Sequence, residues 1–157
     1  MRLGTAALAG LLVTACSRGP VAPIPNTDRP EAQADELAFL PEGWRTLTDL
    51  PPDSEELRRK GASLFTRACA PCHGSDGRGD GSAAAACDPK PADFLDGKRL
   101  EKHSDPFLFY RITKGKPHTC MPAFSTTLSR GDRLVLVRHL RNLDRDAAAS
   151  AKTAAKP

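Results

Sequence analysis

The residues best equipped for chemistry in this 157-residue chain are Cys69-Ala70-Pro71-Cys72-His73, which read C-x-x-C-H. Two thiols three positions apart can each add to a vinyl group on one porphyrin edge. The histidine directly after the second thiol then falls beneath the iron, the attachment pattern of a c-type haem. A covalent tether makes the histidine–iron bond intramolecular, so the ligand cannot drift away. A bare C-x-x-C has other uses, zinc knuckles and thioredoxin-like redox pairs among them. His73 and a sixth ligand downstream, Met121, narrow the choice to one covalent haem c with His73 as proximal ligand. Met121 has no thioether competitor, because the only other methionine is Met1. As a soft, neutral donor it favours ferrous over ferric iron. His118, three residues earlier, is the rival ligand and would lower the potential instead. A further alternative is a structural zinc module built from Cys69, Cys72, Cys87 and Cys120, which leaves His73 and Met121 without a role.

Helices must hold these ligands. One is expected to begin near Asp53, where Asp53-x-x-Glu56 has the spacing of a capping box. Its apolar face is Leu57, Gly61, Leu64, Phe65 and Ala68, at helical spacing. A second spans Asp105 to Thr113, with Ser104 as cap and Pro106 in the first turn. Its Phe107, Leu108, Phe109, Tyr110 and Ile112 are more apolar than a surface helix requires, so some should line a haem pocket. A third runs from Ser129 to about Leu143, with Leu136, Val137, Leu140 and Leu143 on one stripe. Gly61 inside a helix costs about 1 kcal/mol relative to alanine and so calls for a compensating contact.

The surroundings of the motif resemble a class I cytochrome c from about Asp53 to Asp144. The resemblance rests on Gly61-x-x-x-Phe65-x-x-x-Cys69, His73-Gly74-x-x-Gly77-x-Gly79-Asp80-Gly81, Lys90-Pro91-Ala92-Asp93-Phe94, Met121-Pro122-Ala123-Phe124 and the helix from Asp132 to Leu143. It implies an all-α fold, with N- and C-terminal helices crossing at Gly61 and a haem wrapped by long loops. His139 stands where the family usually has an aromatic residue against that glycine. The resemblance also implies that a proline carbonyl after the haem loop accepts from the other ring nitrogen of His73, and Pro91 fits that place. With both axial positions filled there is no open site for a small-molecule substrate, so the reading is electron transfer and not an enzyme.

Residues 1–15 carry one early charge, Arg2, and then an apolar run too short to span a bilayer. Leu12-Val13-Thr14-Ala15-Cys16 resembles a bacterial lipobox, which implies a lipoprotein signal peptide, lipid on Cys16 and a membrane-anchored protein of the bacterial periplasm. Residues 16–52 read as anchor and proline-rich linker, residues 53–146 as the haem domain, and 147–157 as a disordered tail. Leu37–Trp44 is more apolar than a linker requires, which fits either a strap lying on the domain or a docking patch. With Cys16 lipidated and two cysteines on haem, Cys87 and Cys120 are left as an even remainder in an oxidising compartment, and a disulfide accounts for both.

The formal net charge is +4. Lys98, Arg99, Lys102, Arg111, Lys114 and Lys116 gather against only Glu101 and Asp105, a patch suited to steering an acidic redox partner. Export argues against nucleic acid as a partner. The functions in view are a tethered shuttle between membrane redox complexes and a fixed haem subunit of a respiratory or dehydrogenase complex.

Overall fold

The computed structural model describes residues 32–96 and 100–154. Residues 1–31, with the expected signal peptide and Cys16, lie outside the described residues, as do Lys98 and Arg99. Among the described residues all regular structure is helical: α1 (Ala32–Phe39), α2 (Glu55–Ala68), α3 (Ala70–His73), α4 (Asp105–Lys114) and α5 (Arg130–Ala154), with single 3₁₀ turns at Glu42–Trp44 and Ala84–Ala86.

The core is the crossing of α2 and α5, closed on one side by α4. Leu64 and Phe65 of α2 meet Leu134, Val135, Leu136, Val137 and Leu140 of α5, while α4 adds Leu108, Phe109 and Ile112. At Gly61 a Cβ atom would stand 2.9 Å from the His139 Cβ, so only glycine lets the two backbones approach this closely. The His139 ring then lies 5.1 Å from that of Phe65. Burial holds His139 below the usual histidine range, so it packs as a neutral ring in the aromatic position.

Helix α2 starts one residue later than the sequence predicts. Ser54 is the cap, its Oγ accepting from the Leu57 N–H at 3.3 Å, and Glu55 and Glu56 complement the helix dipole. Asp53 is engaged elsewhere. It accepts from Arg58 at 2.7 Å and, across the crossing, from Arg145 at 2.7 Å and Asn142 at 3.2 Å. Helix α4 has the expected cap, with Ser104 Oγ accepting from the Phe107 N–H at 3.2 Å. Arg141 of α5 holds the start of α4 through Asp105 at 2.6 Å and the carbonyls of Leu100 and His103.

Two segment boundaries need correction. Residues from Glu36 onward do not hang free as linker but lie along α4 and α5. Leu40 is 3% exposed, and the Trp44 ring sits 5.2 Å from Tyr110, edge-on, and 5.8 Å from Phe109. Glu36, also buried, accepts from His103 Nδ1 at 2.5 Å and from the Ser104 N–H at 3.1 Å. Arg138 donates to the Pro51 carbonyl at 2.9 Å. Leu47 and Leu50 complete the contact with the core, which is why a segment without helical period is still ordered against the domain. At the other end, α5 continues to Ala154 through the stretch expected to be a disordered tail. Residues 147–154 are mostly alanine, the strongest helix former, and hold neither Gly nor Pro.

Candidate haem site

Helix α3 follows α2 almost without a break, and Cys69 serves as the hinge between them. The carbonyl of Cys69 accepts from the Cys72 N–H at 3.1 Å and the His73 N–H at 2.8 Å, which winds both thiols and the histidine into one turn. Pro71 falls in the first turn of α3, where a missing N–H costs nothing. Both thiols are free and half-buried. Burial, and then the neighbouring Cys72, push the Cys69 thiol up to about 12. It stays protonated at neutral pH, unlike the low-pKa thiolate of a redox-active pair.

The loop after α3 folds back on its carbonyls. Gly79 N–H donates to His73, Gly81 N–H to Cys72 and Ala83 N–H to Pro71, at 2.8, 3.1 and 2.8 Å, so the end of this short helix has no orphan acceptors. The loop then brings residues 91–94 beneath the His73 ring. Nδ1 of His73 donates to the Ala92 carbonyl at 3.1 Å. This corrects the expectation for Pro91: its carbonyl lies against the Gly79 backbone, 2.5 Å from where a Cβ would project, and the next carbonyl faces the ring. With Nδ1 taken, Nε2 is the nitrogen left for a metal. Burial pushes His73 below the usual histidine range, with the Ala92 carbonyl opposing, so the ring is neutral and its lone pair available.

Met121 belongs to a compact turn after α4. Its carbonyl accepts from the Lys116 N–H at 3.1 Å, and its N–H donates to Thr119 Oγ1 at 3.2 Å. Phe124 N–H donates to the Ile112 carbonyl at 3.1 Å, tying the far side of the turn to α4. Cys120, beside Met121, is disulfide-bonded to Cys87, with Cα atoms 5.6 Å apart. That bond removes two of the four thiolates from the proposed zinc set, and no group of three or more His, Cys, Asp or Glu suited to a metal occurs among the described residues. His118 is exposed and takes a left-handed backbone conformation (φ 58°). Of the apolar α4 residues, Leu108, Phe109 and Ile112 enter the core, while Tyr110 faces Trp44. In the basic patch, Arg111 lies over Phe107 and Lys114 over Trp44, at 5.0 and 5.7 Å from the ring centroids.

The donor set of two free thiols, one neutral imidazole with a directed Nε2 and a thioether on a bonded turn fits a covalently held haem. Residues 59–144, more than half of the chain, match the family model for cytochrome c. The chain belongs to the cytochrome c family. Family membership implies a c-type haem bound covalently and haem-based electron transfer, and such domains are typically found outside the cytoplasm. Among solved structures, this cytochrome c is similar to a chain of the Kuenenia stuttgartiensis reducing HAO-like protein complex Kustc0457/Kustc0458. The two are 31% identical, with a TM-score of 0.52, over 60% of this chain and 46% of that one. The match therefore spans about half of the neighbour's length. No helix among the described residues is long and apolar enough to cross a membrane.

Two site residues escape sequence reasoning. Ala92 acts through its carbonyl, which every residue possesses, so no side-chain signal marks it. Glu36 looks like any surface glutamate until the strap folds over His103.

Proposed function

We propose that this cytochrome c is a monohaem, class I electron carrier of the bacterial periplasm, bound to a membrane by lipid on Cys16. Cys69 and Cys72 hold the single haem, and His73 and Met121 are its axial ligands. When bound, the haem supplies a one-electron couple. The chain's own residues fix its surroundings: Ala92 orients His73, and the Cys87–Cys120 disulfide holds the turn that carries Met121. Filling both axial positions leaves no place for substrate, so the protein is read as a carrier and not an enzyme. The observation that carries this reading is the His73 Nδ1–Ala92 bond at 3.1 Å, which frees Nε2 within the same turn as two unpaired thiols. Its partners are redox proteins, with the basic residues on and around α4 favouring an acidic docking face.

The alternative, a fixed haem subunit of a larger complex, draws support from the neighbour's description as part of a protein complex. An absorption spectrum of the purified full chain tests the main reading. A sharp ferrous α-band that survives acid-acetone extraction is expected, and a colourless protein excludes it. Mild detergent extraction separates the two assignments, since a subunit co-purifies with its complex and a carrier comes away alone.

A further inference from the structure

We propose that Phe94 is a positioning residue that sets the plane of the His73 imidazole and thereby the electronic orientation of the iron site. The inference rests on the reading that His73 binds haem iron. The Phe94 and His73 rings are stacked, with centroids 4.4 Å apart and planes inclined by 18°. The Ala92 hydrogen bond fixes the direction in which Nδ1 points but not the tilt of the ring about the N···O line. A flat neighbour at contact distance removes that freedom. Any rotation of the imidazole out of plane drives its edge into the face of the phenyl ring.

Phe94 is itself held on several sides. Its N–H donates to the Gly77 carbonyl at 2.7 Å. Gly77, at φ +80°, comes so close that a Cβ there would stand 2.9 Å from Phe94 Cδ2. The Phe65 ring of α2 meets Phe94 edge-on at 6.4 Å, and Asp93 Oδ1 accepts from the Leu95 N–H at 2.8 Å, which stiffens the segment. Contacts therefore run from the α2–α5 crossing through Phe65 to Phe94 and on to His73. An aliphatic residue at 94 would fill the same space without imposing a plane.

The plane matters because low-spin ferric iron has one unpaired electron shared unequally between two d orbitals. The imidazole plane, together with the thioether lone pair, decides that sharing and so the direction along which the electron is most readily exchanged.

The test uses the full chain matured with its haem, comparing the parent with Phe94→Leu and Phe94→Tyr. Proton shifts of the haem methyls in the ferric protein are read alongside reduction potential and thermal melting. Phe94→Leu is expected to rearrange the order or spread of the methyl shifts and to move the potential, with haem still covalent. Phe94→Tyr, which keeps a flat ring, is expected to restore the parent pattern. A Leu variant with the parent pattern and only a lowered melting temperature overturns the inference, since Phe94 would then be packing alone. Where the Leu variant does not accumulate, Phe94→Met keeps the bulk without the plane and is read the same way. A parent protein without covalent haem overturns the reading of the site, and this inference falls with it, so the two failures are distinguishable.

Discussion

As the proposed ligands, Met121 and His73 are held unequally. His73 is held by its place after Cys72, by Ala92 and by the face of Phe94, whereas Met121 depends on the turn around it. Removing the thioether by Met121→Ala should therefore leave the haem attached through its thiols. The sixth position opens, the iron becomes high-spin or takes up external ligands, and the potential falls. Absorption and magnetic circular dichroism of the variant check this. A low-spin, unchanged spectrum would shift the assignment to His118, the exposed imidazole three residues away. At this scale the sequence was most informative where a side chain does the work and silent where a carbonyl does. Cys69, Cys72 and His73 announce themselves by type and spacing. The acceptor for His73 could be placed only to within a residue, because chain direction at 91–92 is set by the approach of Gly79 and not by any side chain.

Elements fix how firmly those residues are presented. The Cys87–Cys120 bond joins residues 33 apart in sequence, and a loop of that length is worth about 3–4 kcal/mol in chain entropy. Cys87→Ser with Cys120→Ser should lower stability by roughly that amount and weaken the red sulfur-to-ferric-iron band, because the turn carrying Met121 loses its tie. Denaturant melts and the ferric spectrum of the oxidised double variant check both effects, and a parent-like band would show that the bond serves stability alone. The α2–α5 clamp has its own signature in pH. Arg58 foremost, then Arg145, hold the Asp53 carboxyl well below the usual carboxylate range. Its contribution is full above about pH 4, where the unfolded chain titrates, and drains away as pH falls toward the lower folded value. Melting temperatures between pH 5 and 2 should fall less steeply for Asp53→Asn than for the parent, and equal slopes would remove Asp53 from the acid response. Helices α2 and α5 were legible because each carries a 3.6-residue apolar period long enough to stand out, and α4 because Ser104 and Pro106 mark its start. The cap of α2 was ambiguous because Asp53 and Ser54 are both good caps, and only the pull of Arg58 and Arg145 decides between them. The strap was only half legible: the apolar run Leu37–Trp44 suggested a segment lying on the domain, but prolines break its period and its order comes from contact with α4.

The molecule as a whole is a helical haem domain with residues 36–52 folded back over it. Cys16→Ser should release it from membranes into the soluble periplasmic fraction with haem intact, because α2, α4 and α5 supply the domain's core by themselves. Fractionation with a haem stain checks this, and retention would point to docking through a partner. Glu36→Ala should loosen the strap by leaving His103 and the Ser104 N–H without their acceptor. Trp44, the only tryptophan, reports on it: its emission should move to the red and its quenching by acrylamide increase, while the haem spectrum stays as in the parent. Unchanged emission would mean that Leu40 and Trp44 hold the strap by themselves. The strap also bears on distance. A chain anchored at Cys16 and free up to Asp53 could reach about 130 Å when fully drawn out. With residues from Ala32 onward committed to helix and strap, sixteen steps separate Cys16 from the described domain, a span of at most about 58 Å. If Cys16 carries the proposed lipid, the haem domain would work within a shallow layer above its membrane, and lateral diffusion among neighbours in that layer would set its rate of encounter.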